Sequence, residues 1–201
     1  MVETAARTVP VVPVAAWLKA LSPGERFAFY GGAPARAAAA LVWGAVFPEE
    51  ACRANVHATR ATLWLGPDEY LLLDLAGGVD KAPHGPEAPG RATAPLVSPT
   101  FTALERALGD IPHSLVDISH RQFALEVSGP HAATILNGAC PLDLDLAQFP
   151  VGMCTRTVLA KADIVLWRTQ ERAFHLEVWR SFAGYVTGLL REIALEFYPE
   201  R

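Results

Sequence analysis

The stretch Leu115–Trp179 decides the fold. It reads LVDISHRQFALEV (115–127), SGP (128–130), HAATILNG (131–138), ACPLDLDLAQFPVG (139–152), MCTRTVL (153–159), then DIVLWR (163–168) and AFHLEVW (173–179). Apolar residues fall at every second position in its clearest members, Phe123, Leu125 and Val127 and again Phe174, Leu176 and Val178. This is the side-chain period of a strand with one face buried. LVDISHRQFALEV is therefore expected to be one strand, HAATILNG a short helix, and the last three segments further strands of the same sheet. The rest of the chain is expected to pack on that sheet.

Downstream, Ser181 is placed to cap a C-terminal helix whose Phe182, Tyr185, Val186, Leu189, Leu190 and Ile193 form one apolar stripe, a pattern of core packing. Immediately upstream, Ser98 fits an N-cap and Pro99 the first helical position, with Phe101, Leu104 and Leu108 on one face and Gly109 as the stop. Between Ala76 and Ser98 the chain is rich in Gly, Ala and Pro and has no periodicity, so it is expected to be a mobile surface loop. Thr59 to Leu75 reads as a hairpin turning at Gly66-Pro67-Asp68-Glu69. Arg26 to Tyr30 is a short strand, and Pro34 opens a helix that runs to Trp43. Met1 to Gly24 reads as an arm, with AAWLKAL as a helical turn or two.

Strands joined by hairpins and short helices predict an α+β fold, mainly antiparallel sheet with short helices packed on it. Residues 1–201 are expected to form one domain, with a division into two α+β lobes as the alternative. The chain has 51% hydrophobic and 19% charged residues, against a typical charged share of roughly 25%. Either a partner covers part of a charge-poor surface, or the Ala-rich runs inflate the apolar count. A net charge of -4 with no dense Lys/Arg run gives no electrostatic footprint for nucleic acid. The apolar patch Val9 to Leu18 is interrupted by Pro10 and Pro13 and is too short for a membrane span. Cys52, Cys140 and Cys154 are scattered and odd in number, as expected of reduced thiols in a cytoplasmic protein.

Candidate chemistry is sparse. No glycine-rich phosphate loop occurs, and the six histidines lack HxxxH or HxH spacing. Asp68 and Glu69 stand at a turn tip, where acids are usually solvated. Asp117, Ser119 and His120 are triad residue types within four positions, but alternating strand positions would keep them from one relay. Cys140 is expected to be a buried, inert thiol. Arg121 and Arg180 each adjoin a strand end and are candidate clamps for an anion or a partner carboxylate; the plainer alternative is two arginines stacked on their own domain. No catalytic, cofactor-binding or metal-binding residue is assigned.

Five motifs in order, LGPDEYLLL (65–73), VDISHRQ (116–122), GPHAATILNGACPLDL (129–144), FPVGMCTRT (149–157) and WRSFAGYV (179–186), resemble the gamma-subunit family of heterotetrameric sarcosine oxidase. The resemblance covers most of the chain from Gly66 onward, with Tyr70 where the family is expected to carry Trp. It implies a fold similar to the folate-binding domain of aminomethyltransferases. It further implies a subunit without a catalytic role of its own, in a cytoplasmic complex with alpha, beta and delta chains that oxidatively demethylates sarcosine to glycine, with tetrahydrofolate as one-carbon acceptor. FAD and FMN are then expected in the beta chain, NAD and tetrahydrofolate in alpha and zinc in delta, with no cofactor in this chain. The competing expectation is a stand-alone folate-binding, aminomethyltransferase-like protein.

Overall fold

Several strands are apolar at consecutive rather than alternate positions. Tyr70, Leu71, Leu72 and Leu73 are all buried, as are Ile164 through Trp167, so these strands are covered on both faces. The computed structural model describes residues 17–21, 24–76 and 98–198. Its elements are β1 (Leu18–Leu21), β2 (Arg26–Gly31), α1 (Ala33–Trp43), β3 (Ala54–His57), β4 (Arg60–Gly66), β5 (Glu69–Asp74), α2 (Pro99–Leu108), β6 (His113–Asp117) and β7 (Gln122–Ser128). Then come α3 (Ala132–Asn137), β8 (Cys154–Leu159), β9 (Ala162–Gln170), β10 (Ala173–Trp179), a 3₁₀ turn (Arg180–Phe182) and α4 (Ala183–Ala194). The expected loop lies, but for its flanks Ala76 and Ser98, outside the described residues.

Two five-stranded sheets result, ordered β1-β7-β10-β9-β8 and β3-β4-β5-β2-β6, antiparallel throughout. Each sheet turns one face to helices. Phe27, Phe29, Tyr70 and Leu72 pack against Ala35, Ala39 and Trp43 of α1 and Leu104 and Leu108 of α2. Leu125, Val127, Ile164, Leu166, Phe174 and Leu176 pack against Ile135 and Leu136 of α3 and Val186 and Leu190 of α4. The inner faces meet each other, with Ala61, Leu63, Leu71 and Leu73 against Cys154, Val165 and Trp167, and Ile118 inserted beside them. The order of layers is helices, sheet, sheet, helices, an α+β arrangement with mainly antiparallel sheet.

Three local expectations are corrected. LVDISHRQFALEV is not one strand: β6 belongs to one sheet and β7 to the other, and the chain crosses between them at residues 118–121. Leu18–Leu21 is a strand, because β7 offers it an unpaired edge, with Leu18 opposite Val127 and Leu21 opposite Ala124. Ser181 does not cap the last helix; it lies inside the 3₁₀ turn, and the N-cap of α4 is Phe182, with no side-chain cap bond. The expected stripe is also narrower, since Phe182 and Tyr185 face solvent.

The start of α2 follows its sequence signals. Ser98 Oγ accepts the N–H of Phe101 at 2.9 Å and Pro99 occupies the first turn. Ser98→Ala is expected to lower the unfolding free energy by about 1 kcal/mol. A urea titration should show an earlier midpoint with an unchanged slope, and an unmoved midpoint would mean the cap bond contributes nothing.

Candidate functional site

The largest concentration of buried charge lies between the sheets. His175 and Glu177 alternate with Phe174, Leu176 and Val178 on β10, so they point away from the helix-side core and toward the opposite sheet. There the Nε of Arg26 donates to both carboxylate oxygens of Glu177, at 3.0 and 2.8 Å. His175 Nε2 sits 2.7 Å from Glu177 Oε1. Glu177 is 1% exposed, Arg26 3% and His175 7%. Burial pushes the Glu177 carboxyl up, but the hydrogen bonds and charges of His175 and Arg26 outweigh it and hold the carboxyl below its ordinary value.

The crossover between the sheets clamps this cluster. Ser119 Oγ accepts the backbone N–H of Arg26 at 2.9 Å and donates to Asp117 Oδ1 at 2.6 Å. Asp117 Oδ1 also accepts the Ser119 N–H at 2.8 Å, and Ile118 N–H donates to the Arg26 carbonyl. Asp117 and Ser119 thus do meet, because they lie in a turn and not on one strand. His120 is exposed, and the serine hydroxyl is already engaged by the Arg26 backbone N–H and the Asp117 carboxylate, so the arrangement holds a corner of the chain together. Gly24 belongs to the same corner: its carbonyl accepts from Arg26 Nη1, and a Cβ there would lie 1.8 Å from the Asp74 carbonyl oxygen.

The hairpin acids are engaged too. Asp68 pairs with Arg36, and Glu69 receives Arg156 Nη1 at 2.7 Å across the two sheets. Arg156 holds the Glu69 carboxyl below its ordinary range.

A cleft of about 420 Å³ opens beside α3, lined among others by Thr134, Asn137, Asp145, Arg168 and Arg172. Its floor is structural. Arg168, 4% exposed, donates to the carbonyls of Leu144 (3.2 Å), Phe149 (2.6 Å) and Glu171 (2.9 and 3.2 Å). It also lies over the Phe174 ring at 4.7 Å. Cys140 follows α3, donates its N–H to the Leu136 carbonyl and is buried against Thr157. Among the described residues no three of His, Cys, Asp and Glu gather where they would hold a metal ion.

The two candidate arginines stand together at one corner. Arg121 lies over the Trp179 ring at 5.2 Å, and the Arg180 N–H donates to the Arg121 carbonyl at 2.8 Å. Trp179 is 47% exposed, Tyr185 42% and Phe182 39%, so the WRSFAGYV motif presents three aromatic rings to solvent. Sequence reasoning placed Phe182 and Tyr185 in the core. Tyr185 stands one step off the face that Val186, Leu190 and Ala194 bury at intervals of four, whereas Phe182 would extend that face by spacing and is exposed because it ends the 3₁₀ turn ahead of α4.

Residues 99–196 match the model of the "Sarcosine oxidase, gamma subunit family". The chain is similar to the sarcosine oxidase subunit gamma of Corynebacterium sp. (strain P-1), 36% identical over 140 residues, 70% of this chain and 59% of that protein. To its counterpart in an Arthrobacter sp. it is 33% identical over 167 residues, 83% of this chain and 72% of that protein. Among solved structures it superposes on a chain of the heterotetrameric sarcosine oxidase from Corynebacterium sp. U-96 in complex with pyrrole 2-carboxylate. That match has a TM-score of 0.74 at 27% identity and covers 92% of this chain and 86% of the other. The glycine cleavage system aminomethyltransferase T from Bartonella henselae shares the fold, with a TM-score of 0.57 at 15% identity over 86% of this chain and 44% of that one. By sequence and by fold, this chain belongs to the sarcosine oxidase gamma-subunit family.

Proposed function

We propose that this chain is a non-catalytic, structural subunit of a heterotetrameric sarcosine oxidase, assembled in the cytoplasm with alpha, beta and delta subunits. In this reading the partners hold FAD, FMN, NAD, zinc and tetrahydrofolate. They oxidatively demethylate sarcosine to glycine, with tetrahydrofolate accepting the one-carbon unit. The observation that carries the proposal is the exposed corner of Trp179, Phe182 and Tyr185 with Arg121 over the indole. Trp, Tyr and Arg are the residue types that dominate protein interface energetics. Arg121 and Arg180 are the partner contacts in this proposal. The mutual engagement of Arg26, His175 and Glu177 in a buried cluster supports a structural use of this chain's strongest charges.

The test is co-expression with the three candidate partners. Trp179→Ala is expected to weaken association by about 2 to 4 kcal/mol, lowering the yield of complex while turnover per bound flavin stays within a few-fold of wild type. A chain that purifies alone beside its partners would overturn the proposal. So would a fully assembled complex that Trp179→Ala leaves inactive.

A further inference from the structure

Two of the three cysteines stand opposite each other in register where the two halves of the molecule touch. Cys154 begins β8, is wholly buried on its inner face and has its Sγ 3.5 Å from the Trp64 carbonyl. Cys52 ends the loop that leads from α1 to β3 and is half-buried. Between them runs an isolated antiparallel bridge, Arg53 opposite Met153, flanked by the bonds Ala54 N–H to Gly152 O and Cys154 N–H to Cys52 O, both 2.9 Å. One step out from the bridge, Cys52 therefore stands opposite Cys154. Directly opposed antiparallel partners have Cα atoms about 4.5 to 5.5 Å apart, within the span of a disulfide. The thiols are near enough to interact electrostatically. Cys52 also holds φ +58°, a left-handed conformation that Gly or Asn adopts at less expense. Cys140 is separated from both, on the helix side of its sheet.

We propose that Cys52 and Cys154 form a reversible, hydroperoxide-driven disulfide that fastens the two sheets to each other. The half-exposed Cys52 meets the oxidant first. Its sulfur attacks one peroxide oxygen, the O–O bond breaks, the sulfur becomes a sulfenic acid and the other oxygen leaves as water with the thiol proton. Cys154 then attacks the Cys52 sulfur, the S–O bond breaks, and the hydroxyl leaves as water with the Cys154 proton. Sulfur is oxidised by two electrons overall and the peroxide reduced by two. Burial and the neighbouring Cys52 push the Cys154 thiol up to about 12, so Cys154 does not capture peroxide from solvent, and it reacts only with the sulfur held opposite it.

The experiment treats the full chain with hydrogen peroxide, quenches with an alkylating agent, and reads intact mass, linked peptides and melting temperature. The expected product has lost two thiol hydrogens, yields a Cys52–Cys154 linked peptide, and leaves Cys140 open to alkylation after unfolding. Because the bridge closes a loop of roughly 100 residues, the melting temperature should rise by about 5 °C or more and fall back on reduction. Cys52→Ser should abolish both changes and Cys140→Ser should keep both. Oxidation of Cys52 to sulfinic acid without a linked peptide would overturn the proposal. So would a linkage through Cys140, or a linked chain that melts lower than the reduced one.

Discussion

Glu177→Gln is expected to lower the unfolding free energy by about 3 to 5 kcal/mol, because it strands a buried guanidinium with no counter-charge. Arg26 and Glu177 have side chains 4% and 0% exposed, so neither can recover its hydration when the other is altered. A loss of that size is a large part of the total stability of an ordinary domain, roughly 5 to 15 kcal/mol. The double variant Arg26→Met with Glu177→Leu should recover most of it, since replacing a whole buried pair with apolar groups is often neutral or stabilising. Urea unfolding of the single and double variants measures the coupling. A double variant that loses as much as the single would overturn this expectation, because the intact pair would then stabilise the fold beyond what apolar groups supply.

The same cluster sets an acid limit. The Glu177 carboxyl lies below its ordinary value in the folded chain, so the unfolded chain binds the proton more readily. The stability it contributes is complete above the ordinary carboxylate value and drains away as pH falls through and below it. Glu177→Gln should flatten that acid branch of the stability curve.

Arg168→Met should produce the second large loss, about 3 kcal/mol. Removing the guanidinium leaves the carbonyls of Leu144, Phe149 and Glu171 without their donor, and an unsatisfied buried acceptor costs about 1 to 3 kcal/mol. The escape of residues 144–149 toward water limits the sum. Arg168→Lys should not rescue, because a compact ammonium lacks the planar fork that reaches carbonyls on two sides. Proteolysis within residues 139–152 should accelerate in both variants. If Lys at 168 restored full stability, charge alone and not the fan of donors would be what matters.

The hairpin of β4 and β5, the capped start of α2 and the strands β8 to β10 were all legible, because each pairs a local turn or cap signal with an apolar run. The second sheet was harder to see. Its trace is the unbroken run Tyr70 to Leu73, which signals burial on both faces, whereas the alternation in AFHLEVW reads as one face in water. That reading sends His175 and Glu177 to solvent, and only the facing sheet with Arg26, some 150 residues earlier, reverses it. The split of LVDISHRQFALEV was hidden for a related reason. Asp117 and Ser119 form a turn through side-chain bonds and not through Gly or Pro, and one of the five motifs of the family resemblance, VDISHRQ, spans the crossover itself. The exposure of Trp179, Phe182 and Tyr185 was concealed by their apolar character, which composition assigns to a core.

The crossover at residues 118–121 also orders events during synthesis. The sheet β3-β4-β5-β2-β6 is complete in sequence at Asp117, before any residue of β7 to β10 has been made. Its inner face of Ala61, Leu63, Leu71 and Leu73 is then finished and uncovered. β1 must wait as well, since Lys19 reaches its partner Glu126 only 107 residues later. At about 5 to 20 residues per second, the chain spends several seconds with an apolar sheet face and an unpaired N-terminal strand on the ribosome's side of completion. Its greatest exposure to aggregation and to chaperones falls in that interval, whose length is set by connectivity and not by the stability of the finished molecule.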